Sequence, residues 1–164
     1  MAERAITQRR GLVALVGAVA ATALLSFTPA WEGTKLSTYR DMGGVLTYCT
    51  GATENAQWGK TYTPEQCRAQ LDRDLERHAA GIARCVPLAS MTDGQKVAFV
   101  DAAYNIGVGA FCGSSMARRA NAGDMVGSCN ALLMWNRVGG KEVRGLTRRR
   151  QAERELCLAG LAQP

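Results

Sequence analysis

This 164-residue chain has one histidine, no Cys-x-x-Cys pair, and no charged side chain anywhere between residues 11 and 31. A lone imidazole, His78, is too little to build a zinc site, so a zinc amidase is disfavoured and neither metal nor cofactor is expected. There is no Cys/His finger, RNA-binding signature or aromatic-basic ladder. The formal net charge of +6 therefore points to an anionic wall or lipid surface rather than to nucleic acid. Internal repeats and low-complexity linkers are also missing. The length then supports one compact domain, expected to be monomeric.

The uncharged stretch is the sequence's strongest single feature. Residues 11–31 read GLVALVGAVAATALLSFTPAW, preceded by Arg4, Arg9 and Arg10 against Glu3. That basic flank favours an N-terminus held inside, with everything downstream exported. As one helix, Gly11 to Pro29 would be about 28 Å long, enough to cross a hydrocarbon core. Its alanines, glycines, serine and threonines dilute Leu12, Val13, Leu15, Val16, Leu24, Leu25 and Phe27, so it would span weakly. A cleaved signal peptide, with TPA before Trp31 as its site, and a permanent anchor are the alternatives. The expectation taken here is a signal-anchor over residues 1–30 that engages the export machinery, holds the domain at the membrane and later lets go.

Downstream, residues 32–60 are rich in Gly, Thr and Tyr and read as a short β-hairpin or meander. Thr63-Pro64-Glu65-Gln66 is a helix start with a capping box, and Leu71, Leu75, His78 and Ile82 continue at helical spacing to about residue 84. His78 is taken as a helix-packing residue rather than a catalyst. Thr92-x-x-Gln95 opens a second helix, stopped by Gly107 and Gly109. Further helices are expected over 114–121, 124–136 and 147–160. The fold class is α+β, with a small β lobe and a larger helical lobe. Six cysteines downstream of an export segment imply disulfides. The expected pairs are Cys49–Cys67, Cys85–Cys112 and Cys129–Cys157, although spacing does not dictate them.

Three residues carry candidate chemistry: Glu32, Asp41 and Thr47. Breaking a glycosidic bond needs one carboxylic acid to protonate the leaving oxygen and, usually, a second carboxylate to manage the nucleophile. Glu32 and Asp41 can form that pair, and the Thr47 hydroxyl can hold a water. The bland alternative is three solvated residues around a hairpin.

From Trp31 to Leu161 the chain resembles the phage-type lysozymes, in particular the signal-anchor-release endolysins of lambdoid phages. The resemblance is carried by EGTKLSTYRDMGGVLTYCTG, GKTYTPEQCRAQLDRDL, AAYNIGVGAFCGSSMARRANAGD and WNRVGGKEVRGLTRRRQAERELCL. It implies a two-lobed lysozyme-like domain over residues 31–164: a β lobe (31–62), a long connecting helix (63–86) and a helical lobe (87–164). It implies a muramidase that cuts between N-acetylmuramic acid and N-acetylglucosamine in peptidoglycan and lyses the host from the periplasmic side of the inner membrane. Glu32 would be the general acid, and Asp41 and Thr47 would position water in an inverting reaction. Tyr104 and Ser114 fall where the family lines its sugar cleft. The chain departs from the pattern at Ala52, where the family usually has a histidine, which puts the local stability of the β lobe in doubt.

The most basic run, Lys141, Arg144, Arg148, Arg149, Arg150 and Arg154, reads as a solvated helix face with pairs such as Arg149–Glu153. With no cysteine in residues 11–30, switching by disulfide exchange with the anchor is closed. The expected control is positional: Glu32, pinned at the bilayer, comes into the cleft only after release. A lytic transglycosylase and a non-catalytic, membrane-anchored wall-binding protein are the competing functions.

Overall fold

The computed structural model describes residues 11–161. The basic flank over residues 1–10 lies outside them. The apolar stretch does not form the single straight helix its composition allows. It forms α1 (Leu12–Val16) and α2 (Ala18–Glu32), separated by Gly17 at φ +84°. Glycine reaches this left-handed region without the steric cost of a Cβ, so the chain turns there while keeping both flanking hydrogen bonds. Gly17 donates to Val13 O at 2.8 Å and accepts from Ala21 N at 3.0 Å. Among the described residues, no helix is long and apolar enough to cross a membrane.

What the segment does instead is pack. Leu12, Val16, Ala20, Ala21, Leu24 and Thr28 are buried, while Val13 and Val19 face outward. Positions 20, 24 and 28 recur every four residues and so share one face of α2. That face lies on α4 (Asp93–Ile106), and α1 lies on α3 (Pro64–Ala83). Small residues on both sides, Ala20 and Ala21 facing a helix that buries Ala98, Ala102 and Ala103, let α2 and α4 approach closely. The alanines that weaken a membrane span are thus useful in a helix-helix interface. α2 runs through the domain boundary expected at residue 30 and ends on Glu32.

β1 (Lys35–Arg40) and β2 (Leu46–Cys49) form the antiparallel hairpin, with Tyr39 opposite Thr47 and Arg40 opposite Leu46. α3 starts on the expected capping box: Thr63 Oγ1 accepts from Gln66 N, and Gln66 Oε1 accepts from Thr63 N. The same reciprocal cap opens α4 at Thr92 and Gln95. Beyond it come α5 (Val108–Cys112), α6 (Ser115–Asn121), α7 (Met125–Ala131) and α8 (Arg144–Ala159). Two details differ from the sequence reading. Gly107 ends α4, but a new short helix begins at once. The Gly139-Gly140 pair turns a small hairpin, β3 (Arg137–Val138) with β4 (Lys141–Glu142), both glycines having positive φ. Cys49–Cys67, Cys85–Cys112 and Cys129–Cys157 are bonded as expected, with Cα separations of 4.9, 5.7 and 5.6 Å. The first staples the β lobe to α3.

α4 is the hub, contacting α2, α3, α5 and α8. It comes close to α8 at Gly94, where an added Cβ would lie 2.1 Å from the backbone oxygen of Leu156. A backbone atom cannot swing aside as a side-chain tip can. Gly94→Ala is therefore expected to cost at least ~2 kcal/mol and lower Tm by several degrees in a thermal melt. An unchanged melt would show that the α4–α8 contact is not tight.

Candidate active site

An open cleft of about 550 Å³ runs between the lobes. Glu32, at the end of α2, lies on one wall with Tyr104 and Asn105 of α4. Ala52 and Glu54 come from the β lobe, and Gln70, Asp74, Arg77 and His78 from α3. Because α3 joins the two lobes, one face of a single helix supplies much of the lining.

The Glu32 carboxylate is held by one cation. Arg149 Nη1 donates to Glu32 Oε1 at 2.5 Å. The same guanidinium donates through Nε and Nη2 to the two carboxylate oxygens of Asp101, at 2.9 and 3.0 Å. This is the fork geometry that arginine offers and lysine cannot. Glu32 ends α2, where the helix dipole disfavours negative charge, and Arg149 supplies the counter-charge. Desolvation opposes the charge on Arg149, but Asp101 and Glu32 more than compensate and keep it above the ordinary arginine value. Asp101 is held below its ordinary value despite its burial, through hydrogen bonds with Glu153, Arg149 and Thr28.

Behind this pair lie two more buried ionisable groups. Arg149 is 3% exposed, and Arg150 and Glu153 are both 0%. The solvated face expected for this part of the basic run is thus overturned at these three positions. Glu153 Oε1 is 2.9 Å from Arg150 Nη2, and Arg150 Nη2 also donates to Asn105 Oδ1 at 3.0 Å. Burial first, then the hydrogen bond with Asp101, pushes Glu153 well above the carboxylate range. Leu146, Arg150, Glu153 and Cys157 follow an i, i+4, i+7, i+11 pattern. These ionisable residues therefore occupy the inward stripe of α8, which was the available sequence signal.

Asp41 stands at the mouth of the β1–β2 turn. Its Oδ1 accepts from Gly43 N at 2.9 Å and Val45 N at 2.8 Å, which fixes the carboxylate and leaves Oδ2 without a protein partner among the described residues. Thr47 is buried, and its hydroxyl donates to Val45 O at 2.9 Å, leaving its lone pairs as acceptors. Burial, then Asp41, then Glu32 raise the Tyr39 phenol above its ordinary value. Both carboxylates thus lie within electrostatic reach of one side chain, which itself stands opposite Thr47. Neither Asp41 nor Thr47 is among the residues lining the deep part of the cleft.

Tyr104 does line it, donating its hydroxyl to Thr50 O and lying 5.1 Å, ring to ring, from His78. Ser114 does not. It caps α6, accepting from Ala117 N and donating to Phe111 O. His78, read as a packing residue, is on the cleft wall, its Nδ1 donating to the Asp74 carbonyl at 2.6 Å. Arg77 links Glu54 of the β lobe at 2.9 Å with Asp74. Ala52 exchanges backbone hydrogen bonds with Tyr48 at 2.8 and 2.9 Å and buries its methyl beside Tyr48, Cys49 and Cys67, so the β lobe closes there by packing and backbone bonds.

Comparison with known proteins gives this arrangement its class. The family described as phage lysozyme matches residues 29–153, and the chain belongs to it. A SAR-endolysin of Bacteriophage PS119 is 39% identical over 151 residues, covering 88% of this chain and 89% of that protein. The active form of P1 phage endolysin Lyz superimposes with a TM-score of 0.78 at 26% identity, covering 92% of this chain and 95% of that one. The secreted inactive form of the same endolysin gives 0.53 at 26% identity, covering 71% and 82%.

The buried Glu153 sets a pH dependence. Its folded-state value is raised above 4.5, so the folded protein keeps a proton that the unfolded chain gives up. Stability is accordingly lost as pH rises from about 4.5 towards the folded value. Glu153→Gln carries no titrating proton and is expected to lose less Tm than the parent between about pH 4.5 and pH 7.5. Parallel Tm–pH curves for the two proteins would show that Glu153 is ionised when folded.

Proposed function

We propose that this chain is an endolysin of the muramidase type, with Glu32 as the general acid and Asp41 and Thr47 orienting the attacking water. The observation that carries this reading is the Glu32 carboxylate, on the cleft wall and fixed by Arg149. In this reading the Glu32 carboxyl protonates the glycosidic oxygen while charge develops on the sugar ring. Asp41, through its free Oδ2, accepts a proton from water as that water attacks the opposite face. Thr47 offers the same water a second acceptor. Peptidoglycan occupies the open cleft, and Tyr104 gives it an aromatic wall.

In permeabilised Gram-negative cells, Glu32→Gln is expected to slow turbidity loss at least ~100-fold, and Asp41→Asn also to slow it severely. An Asp41→Asn enzyme that keeps most activity would favour a transglycosylase, which needs no water-positioning carboxylate.

The second part of the proposal concerns place. Residues 11–30 first hold the domain at the inner membrane, facing the periplasm, and later leave it and dock as α1 and α2. Two observations support this. The docked segment ends on Glu32, so docking and delivery of the acid are one event. The fold is also closer to the active form of the P1 enzyme than to its secreted inactive form, by TM-score 0.78 against 0.53. The energetics are compatible. On insertion scales Leu and Val gain only ~0.3–0.6 kcal/mol each in the bilayer, while a fully buried Leu or Val side chain contributes about 1.5–3 kcal/mol to a packed core. Leu12, Val16 and Leu24 are fully buried here.

Gly17 tests the exchange. Alanine at φ +84° costs the docked form ~1–2 kcal/mol and favours an unbroken helix. Gly17→Ala is expected to shift the soluble-to-membrane ratio about 5- to 30-fold towards the membrane in fractionated cells. An unchanged ratio would separate the break at Gly17 from release.

A further inference from the structure

The hydrogen bonds around Glu32 extend one residue further than the reaction requires, into the apolar segment itself. Thr28 Oγ1 donates to Asp101 Oδ1 at 2.7 Å, and both residues are 0% exposed. Asp101 grips Arg149 through two bonds, and Arg149 holds Glu32. Thr28 and Glu32 are four residues apart on α2, so the segment that carries the acid also carries a hydroxyl that bonds the carboxylate gripping its cation. The chain of bonds closes a ring: α2 to α4, α4 to α8, α8 back to α2.

We propose that Thr28 is a positioning residue through which docking of the N-terminal segment is registered at the acid. The inference rests on the reading of Glu32 as that acid. With the segment elsewhere, Asp101 and Arg149 remain paired but lack both the hydroxyl and the carboxylate that orient them. Docking supplies the two together. A threonine in an apolar stretch is a modest liability for a membrane span, and at this position its hydroxyl has one partner, a buried carboxylate. The methyl-bearing face fills the same space that valine would, so the hydroxyl rather than the volume is what matters. Asp101 keeps its two bonds from Arg149 in either case, so losing the hydroxyl alters orientation more than it creates an orphaned charge. Displacement of an acid by a fraction of an ångström slows chemistry and leaves sugar binding alone.

The test compares Thr28→Val, Thr28→Ala and Thr28→Ser in the full-length, released protein, with initial rates taken over a range of solubilised peptidoglycan. Thr28→Val is expected to lower kcat about tenfold with KM within about twofold. Ser and Ala remove the same methyl group and differ only in the hydroxyl, so the pair remains informative if Val compromises folding. Thr28→Ser should stay near the parent kcat, and Thr28→Ala should fall with Val. Equal kcat for Ser and Ala, or a loss that follows Tm rather than the hydroxyl, would overturn the proposal. Glu32→Gln, run alongside, separates the two levels: if it retains activity, the acid assignment fails. If it is inactive while Ser and Ala are equal, only the role of Thr28 falls.

Discussion

A single guanidinium, that of Arg149, holds the arrangement around Glu32 together. It joins α8 to the buried carboxylate of Asp101 and to the carboxylate of Glu32, and no other cation reaches Glu32 among the described ion pairs. Burying such a group is costly unless every donor finds an acceptor. Here three of its five N–H donors are bonded to carboxylate oxygens, and that geometry offsets desolvation. The cost buys direction: three helices must meet at one angle and distance, or the charges go unmatched. Gly94, by letting α4 and α8 touch, is part of the same constraint.

On the proposed tether, the N-terminal segment satisfies two environments with one composition. In lipid, its alanines and glycines would make a poor but adequate span. Against α4 those residues allow close packing, and Gly17 gives the bend that a bilayer helix does not need. A stronger apolar segment would improve the first role at the expense of the second. Thr28 shows the same duality at a single residue, tolerable in an apolar helix and fully bonded in the core.

Much of this architecture was legible before any coordinates. Both capping boxes announced their helices because a cap is a local interaction, complete within four residues. The hairpin and its turn at Asp41 followed from glycine and β-branched composition. The triad's spacing was visible too, but its weight came from family resemblance. The break at Gly17 was not legible, since glycine in an apolar run fits a span as well as a turn. Arg149, Arg150 and Glu153 were misplaced for a different reason. Charged residues on a helix usually face water, and their partners lie far away in sequence: Asp101 is 48 positions from Arg149, and Glu32 is 117. Only the inward stripe ending at Cys157 hinted otherwise. Ser114 was placed in the cleft by analogy, while its hydroxyl is fully used in capping α6.

The disulfides carry one more consequence. All three cross-links fall between Cys49 and Cys157, and every residue of α1, α2 and β1 lies upstream of the first. The three covalent loops therefore follow one another downstream of these elements, which form a leading end outside every loop. That end can be drawn out or returned without threading a loop or remaking a sulfur bond. Thiol exchange takes seconds to hours, whereas short helices form within about a microsecond. On the proposed tether, the oxidised body waits fully cross-linked, and the pace of activation is set by the moment the segment leaves the bilayer rather than by any chemistry that follows.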